Sequence, residues 1–272
     1  MQKQVSTNGN ETVGTLARGL DIISLFASQG PELSQTEISA ALSLPLATVH
    51  RLTGVLTARG FLEREPRTRR LRLGIELTRL VPPLLAGMQL PDLARRHLVD
   101  LAARTRETVN LAVLHDNEVV YLLSETGDRL LTFQATVGQR LPAYCSALGK
   151  CLLAHLPPEV ARGRLGPGPW EARTAHTLTT WEQLAPALAA ILRSGISHSA
   201  EEYEIGLVSI AAPLDWTGGP GSAAINISLP ASRVNDDSRS ELVTLLREAA
   251  GAIDRAVGVG RREPQRIAHV GR

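Results

Sequence analysis

Cysteine, aromatic residues and long apolar runs are all scarce in this sequence of 272 residues. The two cysteines, Cys145 and Cys151, cannot build a disulfide framework, and they are not spaced like the paired Cys or His ligands of a zinc site. The most apolar stretch, residues 80–90, contains two prolines and falls short of the roughly 18 apolar residues that a spanning helix needs. The first residues are polar and lack the apolar core of a signal peptide. We therefore expect a cytoplasmic protein that uses no metal or other cofactor.

The basic residues are concentrated in one segment of a chain whose total net charge is only +2. Between Pro45 and Gly74 there are seven arginines and two glutamates, a net charge of +5, which leaves −3 for the rest of the chain. A basic segment on a nearly neutral body is typical of a nucleic-acid-binding module joined to another domain. A solvated arginine-rich surface would carry the same charge, so the structure beneath the arginines decides between the two interpretations.

The first 60 residues contain the pattern of a helix-turn-helix. Residues 15–27 repeat apolar residues at helical spacing and end at a Gln-Gly-Pro breaker. Ser34 and Glu37 have the spacing of a capping box, which predicts the start of a short second helix. After a four-residue turn that ends at Pro45, a third helix is predicted to extend to about Arg59. The buried stripe predicted for this third helix is Val49, Leu52, Val55 and Leu56.

A basic β-hairpin is predicted directly after the third helix. Residues 61–64 and 70–73 have strand patterns, and the tip between them is rich in arginine. A helix with a slim outer face can enter a major groove while such a hairpin reaches the flanking phosphates, so residues 12–74 predict a winged helix-turn-helix. The alternative is that His50 and Arg51 only cover a solvated helix face. The candidate DNA contacts are Thr48 and His50 to base edges, Leu46 and Ala47 to thymine methyl groups, and Arg51, Arg67, Arg69 and Arg70 to phosphates.

The rest of the chain mixes helical and strand patterns. Residues 75–90 predict a linker helix, which its two prolines kink or shorten. Residues 91–257 combine hairpins with helices, which indicates an α+β domain on an antiparallel sheet. Residues 1–11 and 258–272 are predicted to be disordered tails. Inside the larger domain the predicted helices are 93–106, 147–155, 181–193 and 238–257, the predicted strands are 109–113, 119–123, 131–135, 207–212 and 223–228, and a glycine-rich turn is predicted at 218–221.

Seven sequence blocks resemble the IclR family of bacterial transcriptional regulators. They lie at residues 15–20, 44–52, 59–62, 71–74, 141–150, 201–211 and 224–228. The resemblance spans about residues 12–257, and it implies a winged helix-turn-helix, a linker helix and a small-molecule-sensing domain of the GAF type. It also implies paired linkers in a dimer or a dimer of dimers. The family usually has a basic residue and then a small hydroxyl residue where this chain has Leu46 and Ala47, so its operator preference is not transferred.

The resemblance further implies an effector site in the C-terminal domain. Regulators of aromatic-acid catabolism in the family carry a similar Leu-Pro-Ala-Tyr-Cys block, so we expect an aromatic or small organic acid. Ser146 directly precedes a predicted helix, and it can cap that helix while the amides of Ala147 and Leu148 receive a carboxylate. Core packing, or an ordinary strand serine, is the alternative at these positions. The effector-contacting residues implied by the resemblance are Ala147, Leu148, Ser199, Leu207, Ser209, Asn226 and Ser228.

Two alternative functions would use Cys145. A catalytic cysteine at a helix N-terminus would have a lowered thiol pKa and need a nearby histidine, but no motif places His155, His176 or His198 beside it. A redox sensor would oxidise Cys145 and use Cys151 to resolve the product. A third alternative is an architectural DNA-binding protein with no effector, but it would give the larger domain no function. The sequence therefore predicts a ligand-responsive, sequence-specific DNA-binding regulator that is not an enzyme, with repression favoured over activation.

Overall fold

The chain divides into two units, Met1–Gly87 and Met88–Arg272. A computed structural model describes residues 8–83, 89–130, 132–133, 135–215 and 223–260. Short 3-10 helices lie at Ile75–Leu80, Ala143–Cys145 and Ala231–Arg233. The other elements are α1 (Asn8–Gln29), α2 (Gln35–Leu42), α3 (Leu46–Ala58), β1 (Leu62–Arg64), β2 (Leu71–Leu73), α4 (Leu90–Thr105), β3 (Thr108–His115), β4 (Glu118–Glu125), β5 (Arg140–Pro142), α5 (Ala147–Ala154), α6 (Pro158–Leu165), α7 (Trp181–Ser194), β6 (Ser197–Ala200), β7 (Leu207–Leu214), β8 (Ala223–Pro230) and α8 (Asp236–Gly260).

The described part of the N-terminal unit contains three helices and a two-stranded antiparallel sheet. The predicted capping box is confirmed, because the Glu37 amide donates to Ser34 Oγ over 3.2 Å and the Ser34 amide donates to the Glu37 carboxylate over 2.6 Å. Ser43, in the left-handed region with φ 52°, ends α2 and turns the chain toward α3. This arrangement confirms the predicted winged helix-turn-helix. Its apolar core consists of Ile22, Phe26, Leu33, Ile38, Val49, Leu52, Leu62 and Leu71.

Two apolar faces in this unit differ from the prediction. Leu16 and Leu20 share the apolar side of α1 by sequence, yet they are 66% and 55% exposed. The core takes Ile22 and Phe26 from α1 but not these two leucines, so the buried face of the helix is not the one that the spacing predicted. The prediction that Val55 is buried in α3 is wrong, since that side chain is 57% exposed. Thr53 takes the buried position instead.

The C-terminal unit is a sheet with helices on both faces. Its described strands form one six-stranded antiparallel sheet in the order β5-β4-β3-β8-β7-β6. Helices α4 and α8 cover one face, where Leu98 and Leu246 are fully buried. Helices α5 and α7 lie on the other face, with Leu148 and Leu184 in that core. Because β8 is buried along its whole length, the centre of this sheet is closed to solvent on both faces, and the predicted α+β class is confirmed.

Several element boundaries in the C-terminal unit differ from the prediction. The strand predicted at residues 131–135 is wrong, since its described residues 132, 133 and 135 lie outside any strand. Phe133 and Ala135 line an internal cavity instead of pairing with a neighbouring strand. The short strand β5 forms the edge of the sheet in this region. Neither β5, β6 nor α6 was predicted, and the predicted turn at 218–221 lies outside the described residues.

The helices extend into both segments that were predicted as disordered tails. Helix α1 begins at Asn8 and α8 ends at Gly260, whereas residues 1–7 and 261–272 lie outside the described part of the chain. The predicted linker helix begins as a 3-10 helix and continues helically through residues 81–83. Its residues 84–88 lie outside the described part as well. Helix α4 begins three residues earlier than predicted, with proline in its first turn, where no intrahelical amide bond is lost.

Candidate functional site

The outer face of α3 carries five of the candidate DNA-contacting residues. Four of them are exposed and Thr48 is half-buried; the exposed four are Leu46, Ala47, His50 and Arg51. Helix α3 is fixed to α2 by Gln35, whose Nε2 donates to Thr53 Oγ1 over 2.7 Å. Thr53 Oγ1 in turn donates to the Val49 carbonyl over 2.8 Å. The inner face is therefore held rigidly while the outer face remains free for a partner.

The β1–β2 hairpin presents two of the three candidate arginines at its tip to solvent. Arg67 and Arg69 are exposed, and neither forms an ion pair with the residues that the structure describes. Arg70 differs, because its Nη2 lies 2.7 Å from Glu37 Oε2 and 3.0 Å from the Glu32 carbonyl oxygen. Arg70 thus ties the hairpin to the start of α2, a structural role that its sequence position did not indicate.

The carboxylate of Glu37 joins the capping box and the hairpin. The hydrogen bond from the Ser34 amide and the contact with the Arg70 guanidinium hold the pKa of Glu37 below its usual value. The charged carboxylate therefore stabilises two junctions at once, the start of α2 and its contact with the base of the hairpin.

A cavity of about 100 Å³ lies in the C-terminal unit, between the sheet and the start of α5. This volume is smaller than the engineered cavity of about 150 Å³ that holds benzene, so it suits only a small ligand. All seven residues implied by the family resemblance lie on its wall, namely Ala147, Leu148, Ser199, Leu207, Ser209, Asn226 and Ser228. Residues from distant parts of the sequence are thereby brought to one place. The wall also includes residues that were not predicted, among them Asn110, Tyr121, Phe133, Tyr203 and Glu204.

The sheet side of the cavity is a continuous chain of neutral polar groups. Asn110 Nδ2 donates to Asn226 Oδ1 over 2.9 Å, and Asn226 Nδ2 donates to Ser228 Oγ over 2.9 Å. Ser228 Oγ and Ser209 Oγ share a further hydrogen bond of 2.9 Å. The register of the sheet produces this chain, because Asn110 lies opposite Asn226 and Ser209 lies opposite Ser228. All four side chains are buried.

The opposite side of the cavity is the N-terminus of α5. Ser146 caps this helix as predicted, and its Oγ accepts a hydrogen bond from the Gly149 amide over 3.1 Å. The amides of Ala147 and Leu148 have no acceptor among the described residues. A Cβ at Gly149 would lie 2.3 Å from the Ala143 backbone, so only glycine lets the preceding 3-10 turn pack this closely on the helix start. The site therefore presents two backbone donors at the positive end of a helix.

A buried ion pair anchors the loop that closes another side of the cavity. Lys150 Nζ on α5 bonds Glu202 Oε1, and the two residues are only 3% and 9% exposed. Thr177 Oγ1 donates to the Glu202 carbonyl oxygen over 2.6 Å. The next two residues, Tyr203 and Glu204, are part of the cavity wall. The positions of α5 and of this loop are therefore coupled through a largely buried ion pair.

Both cysteines are buried, and neither is part of the cavity wall. Burial raises the pKa of Cys145 and of Cys151 to about 12. The expectation that the pKa of Cys145 is lowered is wrong, because burial of the thiol raises it. The Cys145 Sγ contact that is present is a weak one of 3.8 Å to the Pro142 carbonyl oxygen. Thiolate is thus scarce at neutral pH at both positions.

Two further kinds of feature were expected to be absent. Within residues 8–83, 89–130, 132–133, 135–215 and 223–260, no three His, Cys, Asp or Glu side chains are grouped so as to hold a metal ion. The helices of the same residues include none with the length and apolar character required to cross a membrane.

Comparison with known proteins identifies the family of both units. Residues 84–255 match the family profile of the bacterial transcriptional regulator IclR C-terminal domain, and residues 15–66 match that of the IclR helix-turn-helix domain. The chain belongs to the IclR family. The predicted resemblance is thereby confirmed, and the N-terminal unit is the DNA-binding helix-turn-helix of an IclR-family transcriptional regulator.

Individual IclR-family relatives align along nearly the whole chain. The HTH-type transcriptional regulator XynR of Escherichia coli (strain K12) is 30% identical over 246 residues, which cover 90% of this chain and 98% of XynR. The Pca regulon regulatory protein of Pseudomonas putida is 33% identical over 240 residues, which cover 88% and 81% of the two chains. The crystal structure of an IclR homolog complexed with 4-hydroxybenzoate from Microbacterium hydrocarbonoxydans has a TM-score of 0.78 at 29% identity, covering 90% of this chain and 99% of that one.

Proposed function

We propose that this IclR-family chain is a sequence-specific transcriptional repressor, not an enzyme, whose affinity for its operator is controlled by a small organic acid. The acid binds in the cavity of the C-terminal unit, between the start of α5 and the polar side of the sheet. DNA is bound by the outer face of α3 and the hairpin tip. Effector binding shifts the regulator between two states that differ in operator affinity, so the two affinities are linked.

The observation that carries the effector assignment is the pairing of donors across the cavity. The unused amides of Ala147 and Leu148 lie on one side, and the hydroxyls of Ser209 and Ser228 lie on the other. Backbone donors at a helix N-terminus bind carboxylates without a lysine or arginine. The structural relative that carries 4-hydroxybenzoate supports an aromatic acid as one member of this class.

The exposed residues of the N-terminal unit support the DNA assignment. His50 and Arg51 lie on the free face of α3, where a recognition helix contacts base edges and phosphates. Arg67 and Arg69 at the hairpin tip are exposed and free to meet flanking phosphates. Arg70 contributes by fixing the hairpin through Glu37.

The regulator acts as a homodimer or a dimer of dimers in the cytoplasm, where the chromosome is accessible. A winged helix-turn-helix reads only a few base pairs, and two copies are needed to read two half-sites. The redox alternative has no support from the cysteines, because a sensor thiol needs a thiolate and access, whereas Cys145 is buried with a raised pKa.

A thermal-shift screen followed by a DNA titration tests this function. The full-length chain is heated with benzoates and with short aliphatic carboxylates; a ligand at about 100 times its Kd adds about 2.7 kcal/mol of stability, a clear rise in Tm. A ligand that raises Tm is then added to the chain bound to DNA from its own promoter region, and we expect the operator affinity to change. Ser209→Ala should weaken the ligand, whereas Ser197→Ala, a buried strand serine away from the cavity wall, should not. Binding to promoter DNA that is no tighter than to random duplex would contradict the proposal.

A further inference from the structure

One residue of the cavity wall, Asn110, has an amide oxygen without a hydrogen-bond partner among the described residues. Asn110 lies on the central strand β3, is 1% exposed and forms part of the cavity wall. Its Nδ2 is used by Asn226, but its Oδ1 has no hydrogen-bond partner among the described residues. A buried amide oxygen without a donor costs free energy, and such groups are rare unless a ligand or an ion completes them.

The neighbouring side chains fix which end of the Asn110 amide is open. Asn226 gives its Nδ2 to Ser228, so its Oδ1 faces Asn110 and can only accept. Asn110 therefore turns its own Nδ2 toward Asn226 and keeps Oδ1 free. Ser228 and Ser209 share one hydrogen bond, and neither hydroxyl donates to Asn110 Oδ1.

The charges around the cavity make this neutral acceptor decisive for ligand choice. The charged side chain on the wall is that of Glu204, which is exposed, and the nearby Lys150 ammonium is already bonded to Glu202. An acid is thus held by amide and hydroxyl dipoles rather than by a cation. A ligand whose own donor satisfies Asn110 gains over one that leaves the oxygen buried and unpaired.

We propose that Asn110 Oδ1 accepts a hydrogen bond from a hydroxyl group of the effector, so that the effector is a small hydroxylated organic acid. This inference rests on the proposed function, because it assumes that the carboxylate of the same molecule binds at the start of α5. Asn110 is a specificity-determining residue, and the carboxylate contacts contribute affinity that hydroxylated and unsubstituted acids share.

The test compares acids that differ only in the donor. Binding of benzoate, the three hydroxybenzoates and the three methoxybenzoates to the full-length chain is measured by calorimetry, together with propanoate and lactate. We expect at least one hydroxylated acid to bind about tenfold more tightly than its parent, since an unpaired buried acceptor costs on that order. The matching methoxy compound, which has an oxygen but no proton to donate, should show no such gain.

Two variants locate the effect. Asn110→Ala should remove the advantage of the hydroxylated acid, lowering its affinity about tenfold more than that of the unsubstituted acid. Thr108→Ala is the matched control, because Thr108 lies on the same strand, is fully buried and also has an unpartnered hydroxyl, but is not on the cavity wall. It should leave the selectivity unchanged. Melting curves without ligand check that both variants fold.

The possible outcomes separate this inference from the proposed function. If hydroxylated, methoxylated and unsubstituted acids bind the natural chain equally well, the inference is overturned while the acid effector stands. Selectivity that survives in Asn110→Ala also overturns it. If no acid of either kind binds, both are overturned. Should Asn110→Ala fail to fold, the hydroxy-to-methoxy comparison on the natural chain still decides the matter.

Discussion

The two units present their candidate contact surfaces with opposite electrostatics. In the N-terminal unit Arg51, Arg67 and Arg69 are exposed and carry full charge toward solvent. In the C-terminal unit the buried polar groups on the cavity wall are amides and hydroxyls, and the nearby Lys150 is neutralised by Glu202. An exposed guanidinium stays hydrated until a phosphate displaces its water and counterions, whereas a lone cation inside the fold would lose its hydration permanently. Charged side chains therefore serve at the exposed surface of the N-terminal unit, and neutral dipoles serve in the buried cavity of the C-terminal unit.

The buried ion pair beside the cavity is where a single substitution should have its largest effect. Lys150→Met leaves the Glu202 carboxylate buried without its cation, and we expect the free energy of unfolding of the C-terminal unit to fall by about 3–5 kcal/mol. The double variant Lys150→Met/Glu202→Leu removes both charges and should regain most of that loss. All three tryptophans lie in this unit, so urea denaturation followed by tryptophan fluorescence measures it selectively.

An exposed ion pair of the N-terminal unit provides the control. Arg72→Met breaks the pair of Arg72 with Glu63, whose atoms are 2.9 Å apart at the surface of the hairpin. Exposed pairs contribute little to stability, so the unfolding of the N-terminal unit, followed by far-UV circular dichroism, should hardly change. Equal losses from Lys150→Met and Arg72→Met would contradict the contrast between buried and exposed charge.

The next largest expected effect concerns salt, which should weaken DNA binding far more than effector binding. Arg51→Ala is expected to weaken binding to every duplex about tenfold and to reduce the slope of log affinity against log salt by about one. Arg72→Ala is the matched control, because its guanidinium is already bonded to Glu63. Effector binding to the neutral cavity should change little between low and high salt. Fluorescence anisotropy with labelled DNA over a salt series measures the first effect, and calorimetry measures the second.

His50 should behave differently from Arg51 although the two are neighbours. His50→Ala is expected to change which base is preferred at one operator position, with a discrimination of about 1–3 kcal/mol, rather than to weaken all duplexes equally. A set of operators with single base changes measures this. Equal effects of the His50 and Arg51 variants on every sequence would refute the division of roles on α3.

Much of the N-terminal unit could be predicted because its signals are local. The capping box of Ser34 and Glu37 and the arginine-rich tip are read from adjacent residues, and the three helices follow in order. What could not be predicted depends on contacts across the fold. Arg70 meets Glu37 33 positions away, and Val55 turns outward because Thr53 takes the buried place on α3.

The C-terminal unit was harder to predict because its sheet is assembled from distant strands. Strand β3 pairs with β8, so that Asn110 and Asn226 meet although 116 positions separate them. Strands β5 and β6 are only three and four residues long, too short for a period-2 pattern to be distinguished. The family resemblance brought out seven cavity residues but not Asn110. The one sequence signal for Asn110 was a polar amide in an otherwise apolar strand.

The smallest expected effect concerns pH and the N-terminal unit. The pKa of Glu37 is lower in the folded chain than in the unfolded one, so its contribution to stability is complete above the unfolded pKa and is lost as the pH falls through the folded value. Glu37→Gln should therefore lower the stability of this unit at neutral pH and make it less sensitive to acid as the pH falls below the usual pKa of a glutamate. Because Glu37 lies at the surface, solvent screens the interaction and the effect should be small.

Far-UV circular dichroism follows both units while tryptophan fluorescence follows only the C-terminal one, so their difference reports the N-terminal unit. Glu32→Gln is the control, since the Glu32 carboxylate has no ion-pair partner among the described residues, and a similar loss of acid sensitivity in that variant would show that Glu37 has no special role.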